Sequence, residues 1–93
     1  MANEAKAEVE IRLEGGGAFP EQYDAWLGDV QVGYLRLRHG LFEVYYPDAG
    51  SDEVIYEAKP IGQGEFNDDE RGRYLTDALM AISKRVIDDG IIS

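Results

Sequence analysis

The sequence predicts an α+β fold: a five-stranded antiparallel meander with one C-terminal helix packed on one face. Three observations carry that expectation. Apolar and polar residues alternate through short runs between Ala7 and Ala58, the connections between the runs are short and rich in turn residues, and a single apolar stripe of helical period occupies Asn67–Asp88. The clearest run is Val30–Tyr46, VQVGYLRLRHGLFEVYY. With His39 and Gly40 as the two turn residues, Arg38 lies opposite Leu41, Leu37 opposite Phe42, Arg36 opposite Glu43 and Leu35 opposite Val44. Leu35, Leu37, Phe42 and Val44 then share one face, and Arg36 meets Glu43 on the other.

Taken in order, Met1–Lys6 is polar and aperiodic and is expected to be disordered. Ala7–Glu14 (AEVEIRLE) alternates as a first strand, with Val9, Ile11 and Leu13 on one face. Gly15, Gly16 and Gly17 are expected to interrupt regular structure as a flexible connection. No Lys and Ser/Thr pair follows them, which argues against a phosphate-binding loop. Gln22–Leu27 is the second strand, with Tyr23, Ala25 and Leu27 facing one way and Asp24 and Trp26 the other. A two-residue turn at Gly28-Asp29 sets Leu27 opposite Val30 and Ala25 opposite Val32. Val30 and Val32 differ in parity from Leu35 and Leu37, so a bulge or sharp twist is expected near Gly33. The fourth strand ends at Pro47, which cannot donate to a ladder, and DAGSD (48–52) is a loop. Glu53–Ala58 is the fifth strand, with Val54, Tyr56 and Ala58 on one face.

The helix opens with Asn67 as N-cap and Glu70 three residues on, the spacing of a capping box, and Asp68 and Asp69 lie where the helix dipole favours negative charge. Leu75, Ala78, Leu79, Ile82 and Val86 form the apolar stripe, and Gly90 supplies the stop. The whole is one domain, 1–93, with the sheet over 7–58 and the helix over 67–88.

The 93 residues contain no cysteine and one histidine. That composition excludes thiol nucleophiles, cysteine metal sites and multi-histidine zinc sites. No apolar run approaches a membrane span and no signal pattern opens the chain, so a cytoplasmic location without membrane contact is expected. His39 is expected to be a turn residue tolerating positive φ rather than a general base. The acids Glu65, Asp68, Asp69 and Glu70 complement the helix dipole. Asp48, Ser51, Asp52 and Glu53 lack the spacing of a calcium loop. No catalytic, cofactor or metal residue is assigned, and the chain is read as non-enzymatic.

Charge is the most informative feature, with 9 Lys and Arg against 19 Asp and Glu for a net charge of −10. Such a field repels nucleic acid and favours basic partners. Asp48, Asp52, Glu53, Glu65, Asp68, Asp69 and Glu70 are expected in loops at one end of the sheet and helix, where they present charge as a row of phosphates does. The open sheet face would carry Tyr34, Arg36, Arg38 and Tyr45, with Trp26 nearby, and aromatic and arginine residues are enriched at binding hot spots. In size, acidity, absence of cysteine and a small sheet with one helix, and in stretches such as VGYLRLRHG and NDDER, the chain resembles the small proteins with which phages block bacterial nucleases and CRISPR effectors. That resemblance implies an inhibitor that engages a basic, nucleic-acid-binding surface in the host cytoplasm as a DNA mimic. The mixed outer helix face, with Arg73, Asp77 and Lys84, confines mimicry to loops and strand edges. The alternative is an accessory subunit that forms a homodimer through the aromatic and arginine face.

Overall fold

The computed structural model describes residues 10–91, so the expectations for Met1–Lys6 and for a strand start at Ala7 lie outside the described residues. Strands β1 (Arg12–Gly16), β2 (Glu21–Leu27), β3 (Val30–Arg38), β4 (Leu41–Tyr45) and β5 (Val54–Ala58) precede helix α1 (Asp68–Asp88). They form one antiparallel sheet in the order β1-β2-β3-β4-β5, and α1 packs across one face against β3 and β5. The β3–β4 hairpin has the register read from its two-residue turn, from Arg38↔Leu41 through Leu35↔Val44 to Tyr34↔Tyr45. His39 (φ 56°) and Gly40 (φ 77°) both take the left-handed conformation that such a tight turn requires.

The parity conflict in β3 resolves one residue before Gly33. Leu27 pairs with Val30 and Trp26 with Gln31, but Ala25 pairs with Gly33 rather than Val32, leaving Val32 as the extra residue of a bulge. Val32, Leu35 and Leu37 all enter the core as a result. Gly33 has a second task that the alternation does not show. A Cβ there would lie 2.8 Å from Ile82 Cδ1, so its bare backbone is the seat on which the helix settles.

Three expectations are corrected. Gly15 and Gly16 do not interrupt the sheet; they complete β1, pairing with Tyr23 and Gln22. A Cβ at Gly15 (φ 141°) would fall 2.3 Å from the Gln22 carbonyl oxygen, so glycine is what permits this close approach of β1 and β2. In β5, Tyr56 pairs with Val44 but Val54 pairs with Tyr45, which makes Ile55 a bulge. Val54 therefore falls on the Tyr45 side, away from Tyr56 and Ala58, while Ile55 packs against the core. On the helix, Ala78, Ile82 and Val86 are buried, with Leu75 and Tyr74 packed beside them. Leu79 is only half-buried and stands apart from that cluster. The buried residues follow a four-residue row, and Leu79 is one residue, about 100° of rotation, off it.

The core gathers these helix residues with Ala25, Val32, Leu35, Leu37, Phe42, Val44, Tyr46 and Phe66. Phe42 is its aromatic centre, edge-on to Phe66 (4.9 Å between centroids), Tyr56 and Tyr74.

Candidate functional site

The open sheet face assembles the expected residues, but as a closed network. The Tyr34 and Tyr45 rings are 6.1 Å apart and tilted by 42°. The Arg36 guanidinium lies 5.5 Å above the Tyr45 ring, pairs with Glu43 at 3.3 Å and donates to the Tyr45 oxygen at 3.0 Å. Tyr45 in turn donates to Glu43 at 2.8 Å, and that bond, followed by burial, raises its pKa. Tyr34 donates to Gln22, and Gln31 donates to Asp24 at 3.0 Å. Arg38 is exposed at the hairpin end, outside this network. Trp26, paired with Arg12 and Gln31, has a buried Nε1 with no hydrogen-bond acceptor among the described residues.

The seven candidate acids do not lie at one end, which corrects the expectation from the sequence. Helix α1 starts beside the β3–β4 turn, where Gly40 N–H donates to Gln63 O, and it finishes beside the β4–β5 loop, where Arg85 reaches Glu53. Glu65, Asp68, Asp69 and Glu70 are therefore at one end, and Asp48, Asp52 and Glu53 at the other, with about 25 Å of helix axis between Asp68 and Arg85. The sequence hid this because a strand and a helix each carry the chain the length of the domain.

Several of these acids also have internal work. Glu70 accepts hydrogen bonds from the N–H groups of Ile61, Gly62 and Asn67, each at 2.9 Å, so it ties the connecting loop to the first helical turn. Burial opposes its ionisation, but those three donors and the nearby Arg73 outweigh it and hold its pKa below the usual value. Glu70→Ala is expected to cost about 1.5–3 kcal/mol, because three hydrogen bonds to a charged group are lost together. Asn67→Ala should cost only about 1 kcal/mol. Chemical denaturation of both variants checks this ordering, and equal effects would count against it.

At the other end, Glu53 is clamped by Arg85, whose Nη2 lies 3.0 Å from Oε1, and this contact lowers the Glu53 pKa. Arg85 also pairs with Asp89 at 3.0 Å and covers the Tyr46 ring at 4.5 Å. Asp48 accepts the Gly50 N–H at 2.9 Å and so shapes its own turn. Asp52, Asp69, Glu57 and Asp29 form no ion pair among the described residues, and Glu65 is 4.0 Å from Arg71. By contrast Arg12, Arg36, Arg71, Lys84 and Arg85 all rest against carboxylates.

The most elaborate polar group was not singled out in the sequence. Glu21 is 2 % exposed beneath the loop that leads into α1. Its Oε1 accepts from Phe66 N–H (2.8 Å) and Arg71 Nη2 (3.2 Å), and its Oε2 from Arg71 Nε (2.8 Å) and the Tyr23 hydroxyl. Both oxygens are thus doubly engaged, which is the saturated pattern of a structural carboxylate rather than one awaiting a substrate. Arg71 continues to Phe66 O (3.1 Å) and Asp68 (2.8 Å).

Among the described residues no group of three or more His, Cys, Asp or Glu is placed to hold a metal ion, and no helix is long and apolar enough to cross a membrane. A hollow of about 200 Å³ lies between β5 and α1, lined by Ile55, Ala81, Lys84, Arg85 and Asp88, below the usual range for a small-molecule pocket. None of the protein-family models, curated proteins or solved structures compared with the chain matches it.

Proposed function

We propose that this protein is a non-enzymatic binding module whose acidic surface engages a basic partner, in its most specific form an inhibitor of a nucleic-acid-handling complex such as a CRISPR effector or nuclease. One observation carries the reading: the ion pairs consume most of the described cations internally and leave surplus carboxylates, among them Asp52 and Asp69, outward. A net charge of −10 on so small a chain then acts on its surroundings as an acidic surface. Two patches share this role, Asp48, Asp52 and Glu53 at one end and Glu65, Asp68, Asp69 and Glu70 at the other. The face bearing Tyr34, Arg36, Arg38 and Tyr45 is the contact in the competing reading of a homodimer, and its existing network would preorganise it for that use.

Titration of the protein into DNA-cleavage reactions of purified nucleases and CRISPR effectors tests the proposal. Inhibition should appear and should weaken steeply with added salt, since exposed charges are screened over about 8 Å at physiological ionic strength. Asp69→Asn with Glu65→Gln, or Asp48→Asn with Asp52→Asn, should slow association while leaving the fold intact, and whichever pair matters identifies the docking end. Glu70 and Glu53 are left unchanged because their loss would loosen the loop and the Arg85 clamp. Inhibition lost with Tyr34→Ala and Tyr45→Ala but indifferent to both acidic pairs would move the contact to the open face. Absence of inhibition would remove the specific form of the proposal.

A further inference from the structure

The outward face of α1, where the sequence shows mixed charge, belongs neither to the acidic ends nor to the open sheet face, and its residues are ordered. Ala78, Ile82 and Val86 turn into the core. Thr76 and Met80 stand two residues before Ala78 and Ile82, about 200° of rotation away, so they point off the sheet. With Ser83 and Ile87 they make a line at steps of four, three and four residues, the seam spacing with which paired helices meet. None of the four is charged, and Met80 (65 %) and Ile87 (46 %) are the exposed large apolar side chains of the helix. One flank of this line carries Arg73, Asp77, Lys84 and Asp88, alternating in sign. Arg73 lies 4.7 Å over the Tyr74 ring and Asp77 accepts the Tyr56 hydroxyl at 3.2 Å, and neither forms an ion pair among the described residues. Lys84 and Asp88 pair with each other at 3.1 Å, but at 77 % and 56 % exposure that contact is weak and both ends stay open to a second partner.

A second copy of the same helix, run antiparallel, fits this pattern. A two-fold axis level with Ala81 brings Met80 beside Ser83 of the second copy and Thr76 beside its Ile87, a large side chain against a small one in each layer. The same register brings Arg73 beside Asp88 of the second copy and Asp77 beside its Lys84, and all of these pairs fall within about 1.5 Å, one residue's rise, of level. The seam and the flanking charges thus select one arrangement independently. A parallel pair would instead set Arg73 on Arg73 and Lys84 on Lys84, and would align the two helix dipoles. Asp69 continues the line toward the helix start, but in the antiparallel register it lies beyond the end of the facing helix. We propose that α1 is a self-association surface, at which two copies of this chain pair through the line from Thr76 to Ile87 with their sheets outward. This goes beyond the acidic-module reading and does not rest on it. The ten surplus negative charges on each copy oppose the pairing, so it is weak and depends on concentration.

Sedimentation equilibrium of the full chain over a range of concentrations tests the proposal. A monomer–dimer equilibrium should appear and should tighten as salt is raised from about 0.05 to about 0.5 M, because screening relieves the repulsion between copies. Docking of the acidic ends on a basic partner has the opposite salt dependence, so the two readings fail separately. Met80→Glu, at an exposed helical position, should weaken dimerisation about tenfold or more. Asp77→Lys and Lys84→Glu should each weaken it alone, since like charges then face each other. An equimolar mixture of those two variants should associate at least as well as the wild type, because each changed residue then meets its opposite. Amide spectra unchanged away from α1 verify that all three variants keep the fold. A chain that stays monomeric at every concentration and salt would overturn the proposal. So would a dimer indifferent to Met80→Glu, a dimer lost only with Tyr34→Ala and Tyr45→Ala, or a mixture of the charge variants that fails to recover.

Discussion

Glu21→Ala is expected to cost about 3–5 kcal/mol in unfolding free energy, the largest effect of any single substitution considered. The loss exceeds that of one hydrogen bond because Arg71, Tyr23 and Phe66 all donate to this buried carboxylate, and removing it takes the acceptor from all three and leaves Arg71 only its exposed pairing with Asp68 and its bond to Phe66 O. Removing the charge as well should recover part of the cost, so Glu21→Ala with Arg71→Leu is expected to be less unstable than the two single effects summed. The same network sets a pH dependence. Burial favours protonation of Glu21, but the hydrogen bonds from Arg71, Tyr23 and Phe66 outweigh it and lower the folded-state pKa below 4.5. The unfolded chain then binds more protons in that window, so this contribution is complete above the unfolded value and is lost as pH falls through the folded one. Tyr23 acts at the other extreme. Burial, then the bond to Glu21, pushes its pKa up from 10.0 to about 12, so its contribution is present below the unfolded value and fades as pH rises through that interval. Denaturation midpoints of the wild type and Glu21→Gln across pH check both limbs. If the two proteins lose stability in parallel on acidification, Glu21 is not the responsible group.

The second large effect is expected at the seam between helix and sheet. Ile82→Ala should destabilise by about 2–5 kcal/mol, since Ile82 is fully buried and its Cδ1 occupies the space left open above Gly33. Little can move in to fill that void, because its floor is strand backbone. Leu79→Ala, three residues away, should cost about 1 kcal/mol or less, as the side chain is half-buried outside the core cluster and alanine favours the helix. Urea denaturation of the two variants decides the matter, and a larger loss at Leu79 would mean that the helix is rotated on the sheet.

Much of the architecture follows from the sequence alone because its signals are short-ranged. Alternation of period two, His39-Gly40 and Gly28-Asp29 as tight turns, and the span of the apolar helical repeat together determine five strands, their meander order and one helix. The hairpin register follows from turn length, and the mismatch between Val32 and Leu35 is enough to demand a bulge. Tertiary structure alone decided the rest. Glu21 fell outside the strand read at Gln22–Leu27, and only the docking of α1 brings Arg71, 50 positions away, onto it. Gly15 appeared to be a breaker because glycine signals freedom, whereas the approach of β2 makes its missing Cβ a packing requirement. The acidic residues Asp52 and Asp69 look alike in sequence, yet they stand at opposite ends of the domain, because position along the chain does not specify position along a sheet that repeatedly reverses. Whether an acid is outward, as Asp69 is, or bound, as Glu70 is, depends on whether donors from another segment arrive within about 3 Å, and no local pattern encodes that distance.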